Sequence, residues 1–173
     1  MRLQGLDLAR FIALSGMVIV NFTVASNAVM DTGFFQRVEQ LFEGRAAATF
    51  VVLAGVGLGL AARKRSIFIV TYRRAAFLMF IGLANMIIFS ADIIHYYAVY
   101  FLFGALFVRW STRWLVATIA LALFISLSML LLLDFDTGWD WTTLEYNDFW
   151  TLHGFLRNLF FNGWHPVFPW IIF

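Results

Sequence analysis

The sequence contains no cysteine, and charged residues make up only 13% of its 173 positions. Without cysteine, the chain can form neither a disulfide framework nor a thiolate metal site. Scarce charge, 62% hydrophobic residues and a mean hydropathy of +0.84 lie far outside the composition of soluble domains. The lack of charge therefore excludes an ordinary soluble protein and indicates an integral membrane protein.

Long apolar runs, separated by short charged or aromatic stretches, indicate how the chain crosses the bilayer. A helix needs roughly 20 apolar residues to cross the hydrocarbon core, and only helices or closed barrels satisfy their backbone there. Runs such as LVATIALALFISLSMLLLL lack the alternation of a barrel strand. We therefore predict an all-α fold, a polytopic transmembrane helical bundle. The predicted helices cover residues 8–29, 46–62, about 72–90, 93–108 and 114–133, and a sixth begins near Pro166.

The predicted sixth helix has too few residues before Phe173 to cross a bilayer. We therefore expect residues 1–173 to form a single transmembrane domain that is the N-terminal part of a longer bundle. A signal peptide is disfavoured at the start, because the first apolar stretch is longer than a signal's apolar region and contains Asp7, Arg10 and Asn21.

Lysine and arginine in short loops predict the orientation, because cytoplasmic loops carry an excess of them. The segment after the fifth predicted helix is acidic, which fits the opposite side. We predict a multi-pass protein of the plasma (inner) membrane with a cytoplasmic N-terminus and an outer segment at residues 134–165. The net charge of +2 follows from this topology and gives no reason to expect nucleic-acid binding. The most basic loop lies between the second and third predicted helices and contains Arg63, Lys64, Arg65, Arg73 and Arg74.

The outer segment is rich in aromatic residues, which favour the membrane interface. We expect a hairpin or a short amphipathic helix on the outer leaflet, with residues 155–161 as its apolar face. A sugar-binding aromatic platform is the alternative. The aromatic residues concerned are Trp139, Trp141, Tyr146, Phe149, Trp150 and Trp164.

His165 stands beside the only two prolines, Pro166 and Pro169. Both prolines would fall in the first turn of the sixth helix, where backbone N–H groups lack helical partners anyway. His165 would then lie at the helix cap, where the helix dipole disfavours the imidazolium. A neutral imidazole could act as a base or nucleophile. A capping role, with hydrogen bonds to backbone or water, is the structural alternative.

The stretch ADIIHYYAVY offers a second candidate site. Asp92 and His95 are three residues apart, so on a helix the carboxylate could orient the imidazole. Tyr96 follows on the same side, and the three groups form a possible acid/base cluster. A polar belt at the membrane surface explains them equally well.

Other polar and small residues have simpler explanations beside functional ones. Asn21 and Asn85 lie inside predicted helices and either bond neighbouring helices or line a passage. Gly55 and Gly59 are predicted to form a small-residue face for helix packing. A nucleotide-binding loop is disfavoured, because no strand precedes these glycines. The basic loop could bind the phosphates of a cytosolic nucleotide-bearing cofactor, or could serve topology alone.

Several stretches together resemble one family. The start RLQGLDLARFIALSGMVIVNF resembles the opening of the membrane-bound acyltransferases related to heparan-α-glucosaminide N-acetyltransferase. FEGRAAATFVVLAGVG is similar to their second helix, and ADIIHYYAVYFL to their short outer turn into helix four. GWHPVFPWIIF is similar to one of their Phe-Pro-Trp helix starts.

The resemblance implies transfer of an acetyl group from cytosolic acetyl-CoA to a sugar amine or hydroxyl on the outer side, with no metal. It implies that Asp7 and Arg10 match the family's opening acid and base, and that the basic loop with Arg10 binds the coenzyme. Two positions depart from the pattern. Phe11 replaces the usual glycine, and no histidine lies between Ser26 and Arg45, where the animal enzymes have the catalytic one. Either His95 or His165 takes that role, or the chain is similar to a sister family without settled function.

We therefore predict a membrane acyltransferase whose imidazole acts as a base or transient acyl carrier. The predicted catalytic residues are His165 first, then His95 with Asp92 as its orienting carboxylate. The predicted partners are the lipid bilayer and a small-molecule or glycan acceptor. A transporter or exporter component, with Asn21, Asn85 and Asp92 along its path, is the alternative from another class. A structural membrane partner, in which no single polar residue matters, is the third.

Overall fold

The computed structural model describes residues 4–26, 33, 37, 40–62 and 67–173. This part of the chain is mainly helical, with one very short β-hairpin, and the predicted all-α fold is confirmed. The long helices are α1 (Gln4–Ser26), α2 (Arg45–Ala61), α3 (Ile67–Met86), α4 (Ile94–Phe107) and α5 (Thr112–Leu132). The remaining elements are β1 (Trp139–Asp140), β2 (Glu145–Tyr146), α6 (Leu152–Arg157), a π-helical turn (Asn158–Asn162) and α7 (Val167–Trp170).

Four helices, α1, α2, α3 and α5, belong to stretches that are long and apolar enough to cross a membrane. Their large apolar side chains are widely exposed, for example Leu131 at 84% and Phe80 at 71%. Such surfaces suit lipid and not water. Helix α4 was also predicted to span, but its 14 residues reach only about 21 Å, less than the hydrocarbon core. The chain is a membrane protein, and its lipid partner follows from these helices.

Helix α3 begins at Ile67, earlier than the predicted start at Tyr72. Arg73 and Arg74 therefore lie on a helix and not in a loop, and both are exposed. Arginine is a good helix former, so a charged pair at an exposed position does not end a helix.

The predicted sixth helix differs most from the structure. Helix α7 has four residues, and Phe168 inside it has non-helical dihedral angles of φ −101° and ψ 120°. A residue before proline is pushed towards extended backbone, so Pro169 interrupts the helix that Pro166 begins. The prediction that both prolines lie in the first turn of one regular helix is wrong.

The described chain forms two compact units, residues 1–60 with Phe173 and residues 61–172. In the first unit, Arg10 donates a hydrogen bond to the carbonyl of Leu53 (3.2 Å), and its guanidinium lies against Gly57. Gly55 and Gly59, predicted to form the packing face, have open space at the position of a Cβ within the described chain. The contact between Arg10 of α1 and helix α2 is therefore made at Gly57.

In the second unit, α4 is the most buried helix and packs along α3. Gly82 makes this possible, because its missing side chain leaves room for the backbone N and Cα of His95 and for its Cβ. Residues after α5 form the predicted hairpin, in which Trp139 pairs with Tyr146, and also a short helix, α6. Helix α7 then packs against α5 and α4.

We expect Gly82→Ala to destabilise the protein by about 1–3 kcal/mol, because the new methyl group would overlap the backbone of α4. Gly55→Ala is the matched control, since its Cβ would meet open space and alanine favours the helix. Thermal unfolding of both variants in detergent measures the difference. Equal stability of the two variants would contradict the packing described for Gly82.

Candidate active site

Asp92 and His95 form a buried hydrogen-bonded pair at the beginning of α4. Oδ2 of Asp92 accepts from the backbone N–H of His95 (3.1 Å) and lies 2.9 Å from its ring Nδ1. Asp92 is 2% exposed and His95 is 0% exposed. The carboxylate thus caps the first turn of α4, where the side chain of Ile93 offers no acceptor. The predicted pairing of these two residues is present.

Asn85, from the last turn of α3, completes the environment of the carboxylate. Its Nδ2 donates to the other oxygen, Oδ1 of Asp92, at 2.8 Å. Both oxygens of Asp92 are therefore engaged, and the carboxylate cannot rotate without losing a bond. From the sequence, Asn85 either bonds a neighbouring helix or lines a passage. In the structure its side chain donates a hydrogen bond to Asp92.

The second nitrogen of the His95 ring is left for chemistry. A carboxylate accepts only, so Nδ1 carries a proton, and in the neutral ring Nε2 then carries the lone pair. Nε2 is buried and has no hydrogen-bond partner among the described residues. Unpaired buried polar atoms are rare in proteins, and a catalytic role is one explanation of such an atom. An oriented imidazole with a free lone pair can take a proton or attack a carbonyl carbon.

His165 lies in the same region, near Tyr96. The Tyr96 ring centroid is 3.9 Å from that of His95 and 6.2 Å from that of His165. The Tyr100 hydroxyl donates to the carbonyl of His165 (2.6 Å), which fixes the backbone there. Within the described chain, Nδ1 of His165 is also buried without a partner. The structure therefore brings together the two candidate sites that the sequence kept apart.

Burial lowers the pKa of His165 to about 4, with a smaller effect of His95 in the same direction and an opposing one from Asp92. The predicted neutral state of this imidazole therefore has another cause than the helix dipole. Helix α7 is four residues long and begins after Pro166, so it offers almost no dipole to His165.

Two asparagines that sequence reasoning missed anchor the outer segment, Asn158 to this site and Asn162 within the segment itself. The Tyr96 hydroxyl donates to Oδ1 of Asn158, and the Tyr146 hydroxyl donates to Oδ1 of Asn162 (2.7 Å). Asn162 also donates to the carbonyls of Phe135 and Thr137. The signal was available, because Asn158 and Asn162 lie four apart in an otherwise apolar run. Both are fully buried, at 1% and 0% exposure.

The predicted coenzyme-binding residues are less well described. Arg63, Lys64 and Arg65 lie outside the described residues. Arg73 and Arg74 precede Gly82, the neighbour of His95, by roughly 13 Å of helix. Arg10 lies 3.7 Å from Asp7 and is bonded to α2. In the ranges that the structure describes, no group of three or more side chains could hold a metal ion, and the absence of a metal from the reaction stays a prediction.

Comparison with known proteins gives one match. The model of the protein family described as heparan-alpha-glucosaminide N-acetyltransferase, catalytic, matches residues 2–173. Searches of curated proteins and of solved structures each gave no significant match. The resemblance seen in the sequence is confirmed by the family match.

We expect folding to lose stability as the pH falls from about 6.5 to 4, because unfolded His165 binds a proton that the folded protein excludes. Above pH 6.5 the His165 imidazole is neutral in both the folded and the unfolded protein, so its contribution to stability is fully present. In His165→Gln, the decrease in the free energy of unfolding between pH 7 and pH 5 should be smaller by up to about 2 kcal/mol. Unfolding in detergent at the two pH values measures it, with His153→Gln, at an exposed position, as the control. An unchanged loss in His165→Gln would contradict the assignment.

Proposed function

The chain belongs to the heparan-alpha-glucosaminide N-acetyltransferase catalytic family, and on this premise we propose that it moves an acetyl group across the plasma membrane. Family membership gives a membrane acetyltransferase-type function. The proposal adds acetyl-CoA as the donor from inside and a sugar amine or hydroxyl as the acceptor outside. The observation that carries it is the buried pair of Asp92 and His95, with Nε2 of His95 unpaired in the described chain.

His95 has the proposed central role. An acceptor amine or hydroxyl must lose a proton when it becomes acetylated, and Nε2 of His95 takes that proton. Asp92 stabilises the imidazolium that forms, and Asn85 keeps Asp92 in position. Alternatively, Nε2 itself attacks the thioester carbon, the bond to sulfur breaks and the thiolate leaves, and the imidazole carries the acetyl group until the acceptor displaces it. Burial supports both routes, because exclusion of water protects a reactive acetyl group from hydrolysis.

His165 is the second candidate for the catalytic imidazole, although the sequence analysis ranks it before His95. A general base works best when its pKa lies near the operating pH, whereas burial lowers the pKa of His165 to about 4. No carboxylate orients its ring in the described chain, since its Nδ1 is unpaired. We therefore propose His165 as a neutral hydrogen-bonding group that helps to position the acceptor.

Basic residues at the beginning of α3 are the proposed donor site. The donor supplies an acetyl thioester when bound. Arg73 and Arg74 are exposed there, and guanidinium groups bind phosphates by strong charge-assisted hydrogen bonds. Arg63, Lys64 and Arg65 adjoin them in sequence. Arg10 belongs to the first unit, where Asp7 and the Leu53 carbonyl already engage it, and its role in donor binding stays a prediction.

The test uses inverted membrane vesicles that contain the full-length protein, supplied with acetyl-labelled CoA. We expect label to reach enclosed glycans or the protein, and His95→Ala to reduce transfer by about 100-fold or more. His165→Ala should cause a smaller loss. His153→Ala is the matched control, because His153 is exposed, and it should retain wild-type transfer.

Two results would contradict the proposal. If wild type matches empty vesicles despite normal insertion, acetyl transfer is wrong and the transporter alternative moves ahead. If wild type transfers label and His95→Ala transfers it equally fast, the assignment of His95 is wrong.

A further inference from the structure

Three tryptophans of the outer segment form a cluster beside the candidate active site. Trp139 stacks on Trp141, with ring centroids 4.7 Å apart and planes inclined by 15°. Trp164 meets Trp139 edge-on at 5.3 Å, and it directly precedes His165. Trp141 is 46% exposed. The cluster therefore leads from the surface of the outer segment to the candidate catalytic histidines.

Hydrogen bonds hold the first two rings in place. The indole N–H of Trp139 donates to the carbonyl of Asn162 (2.6 Å), and that of Trp141 donates to Oδ1 of Asp136 (2.9 Å). Tryptophans of a membrane belt direct this N–H group to the wet interface. Here both N–H groups bind protein, so the rings are preorganised and Trp141 presents a flat face.

Trp164 adds a polar group that requires a partner. Its Nε1 is buried and has no hydrogen-bond partner in the described chain. An indole nitrogen only donates, so its partner must supply an acceptor oxygen. Nε2 of His95 and Nδ1 of His165 are likewise unpaired. Trp164 therefore ends the cluster in an unsatisfied donor directly before His165, and a polar ligand at this end would supply the missing partner.

The charge of the outer segment restricts which ligand this can be. Residues 134–165 contain five carboxylates and one guanidinium, Arg157, which is paired with Asp148. Hydrogen bonds from Thr142 hold the pKa of Asp140 below its usual range, so this carboxylate remains ionised. Negative charge repels acidic polysaccharides and attracts amines.

We propose that Trp139, Trp141 and Trp164 form the acceptor subsite, and that it takes a neutral or amine-bearing sugar in preference to an acidic one. The apolar C–H face of a pyranose ring stacks on Trp141, and a sugar oxygen accepts from Nε1 of Trp164. This assignment rests on the proposed function, because it places the acceptor next to His95 and His165.

The test measures sugar binding directly, by isothermal titration calorimetry of the full-length protein without acetyl-CoA. The probe is a glucosamine tetrasaccharide, and a heparin tetrasaccharide is the acidic comparison. We expect Trp141→Ala to weaken binding of the glucosamine probe by about tenfold. Trp150→Ala is the matched control, because Trp150 is 65% exposed in the same segment but contacts Phe149 and not the cluster. It should bind as wild type does.

The proposal is overturned if wild type does not bind the glucosamine probe, if Trp141→Ala binds it unchanged, or if Trp150→Ala loses as much. Tighter binding of the heparin tetrasaccharide would overturn the charge preference. Because no donor is present, the outcome is separate from that of acetyl transfer. Binding that depends on Trp141 without any transfer contradicts only the proposed function, whereas transfer that Trp141→Ala leaves unchanged contradicts only the subsite.

Discussion

The buried carboxylate of Asp92 is the group on which the second unit of the chain depends. An ionised group away from water is costly unless hydrogen bonds compensate it. Asp92 meets this condition with Asn85 on one oxygen and the backbone and ring of His95 on the other. The last turn of α3 and the first turn of α4 are therefore held together by one side chain. Gly82 permits the same approach by leaving room for the backbone of His95.

The remaining features of the site follow from this arrangement. Once the His95 ring is fixed, Tyr96 lies against it, and the Tyr96 hydroxyl reaches Asn158 in the outer segment. Asn162, one turn later, binds the backbone of Phe135 and Thr137, which follow α5, and the hairpin residue Tyr146. Hydrogen bonds of these asparagines thus make the outer segment a folded structure and not a loose interfacial loop. The same segment carries the tryptophan cluster and the acidic charge.

Local patterns in the sequence predicted much of this structure. Apolar runs gave the five long helices, and the spacing of Asp92 and His95 predicted their pairing. The bonds from Tyr96 to Asn158 and from Tyr100 to His165 join residues 62 and 65 positions apart, and no local pattern predicts such contacts. The arginine pair Arg73 and Arg74 predicts a loop that ends near Tyr72, whereas α3 begins at Ile67, because exposed arginines do not end a helix. The membrane orientation and the single domain over residues 1–173 stay predictions.

In the proposed reaction Asp92 acts through His95, and a double-mutant cycle tests this dependence most directly. Rates of acetyl transfer by the full-length protein would be compared for Asp92→Asn, His95→Gln and the variant with both changes. We expect the double variant to be no slower than His95→Gln, because an orienting carboxylate has no effect once its imidazole is absent. Losses that multiply, as for two independent sites, would contradict it.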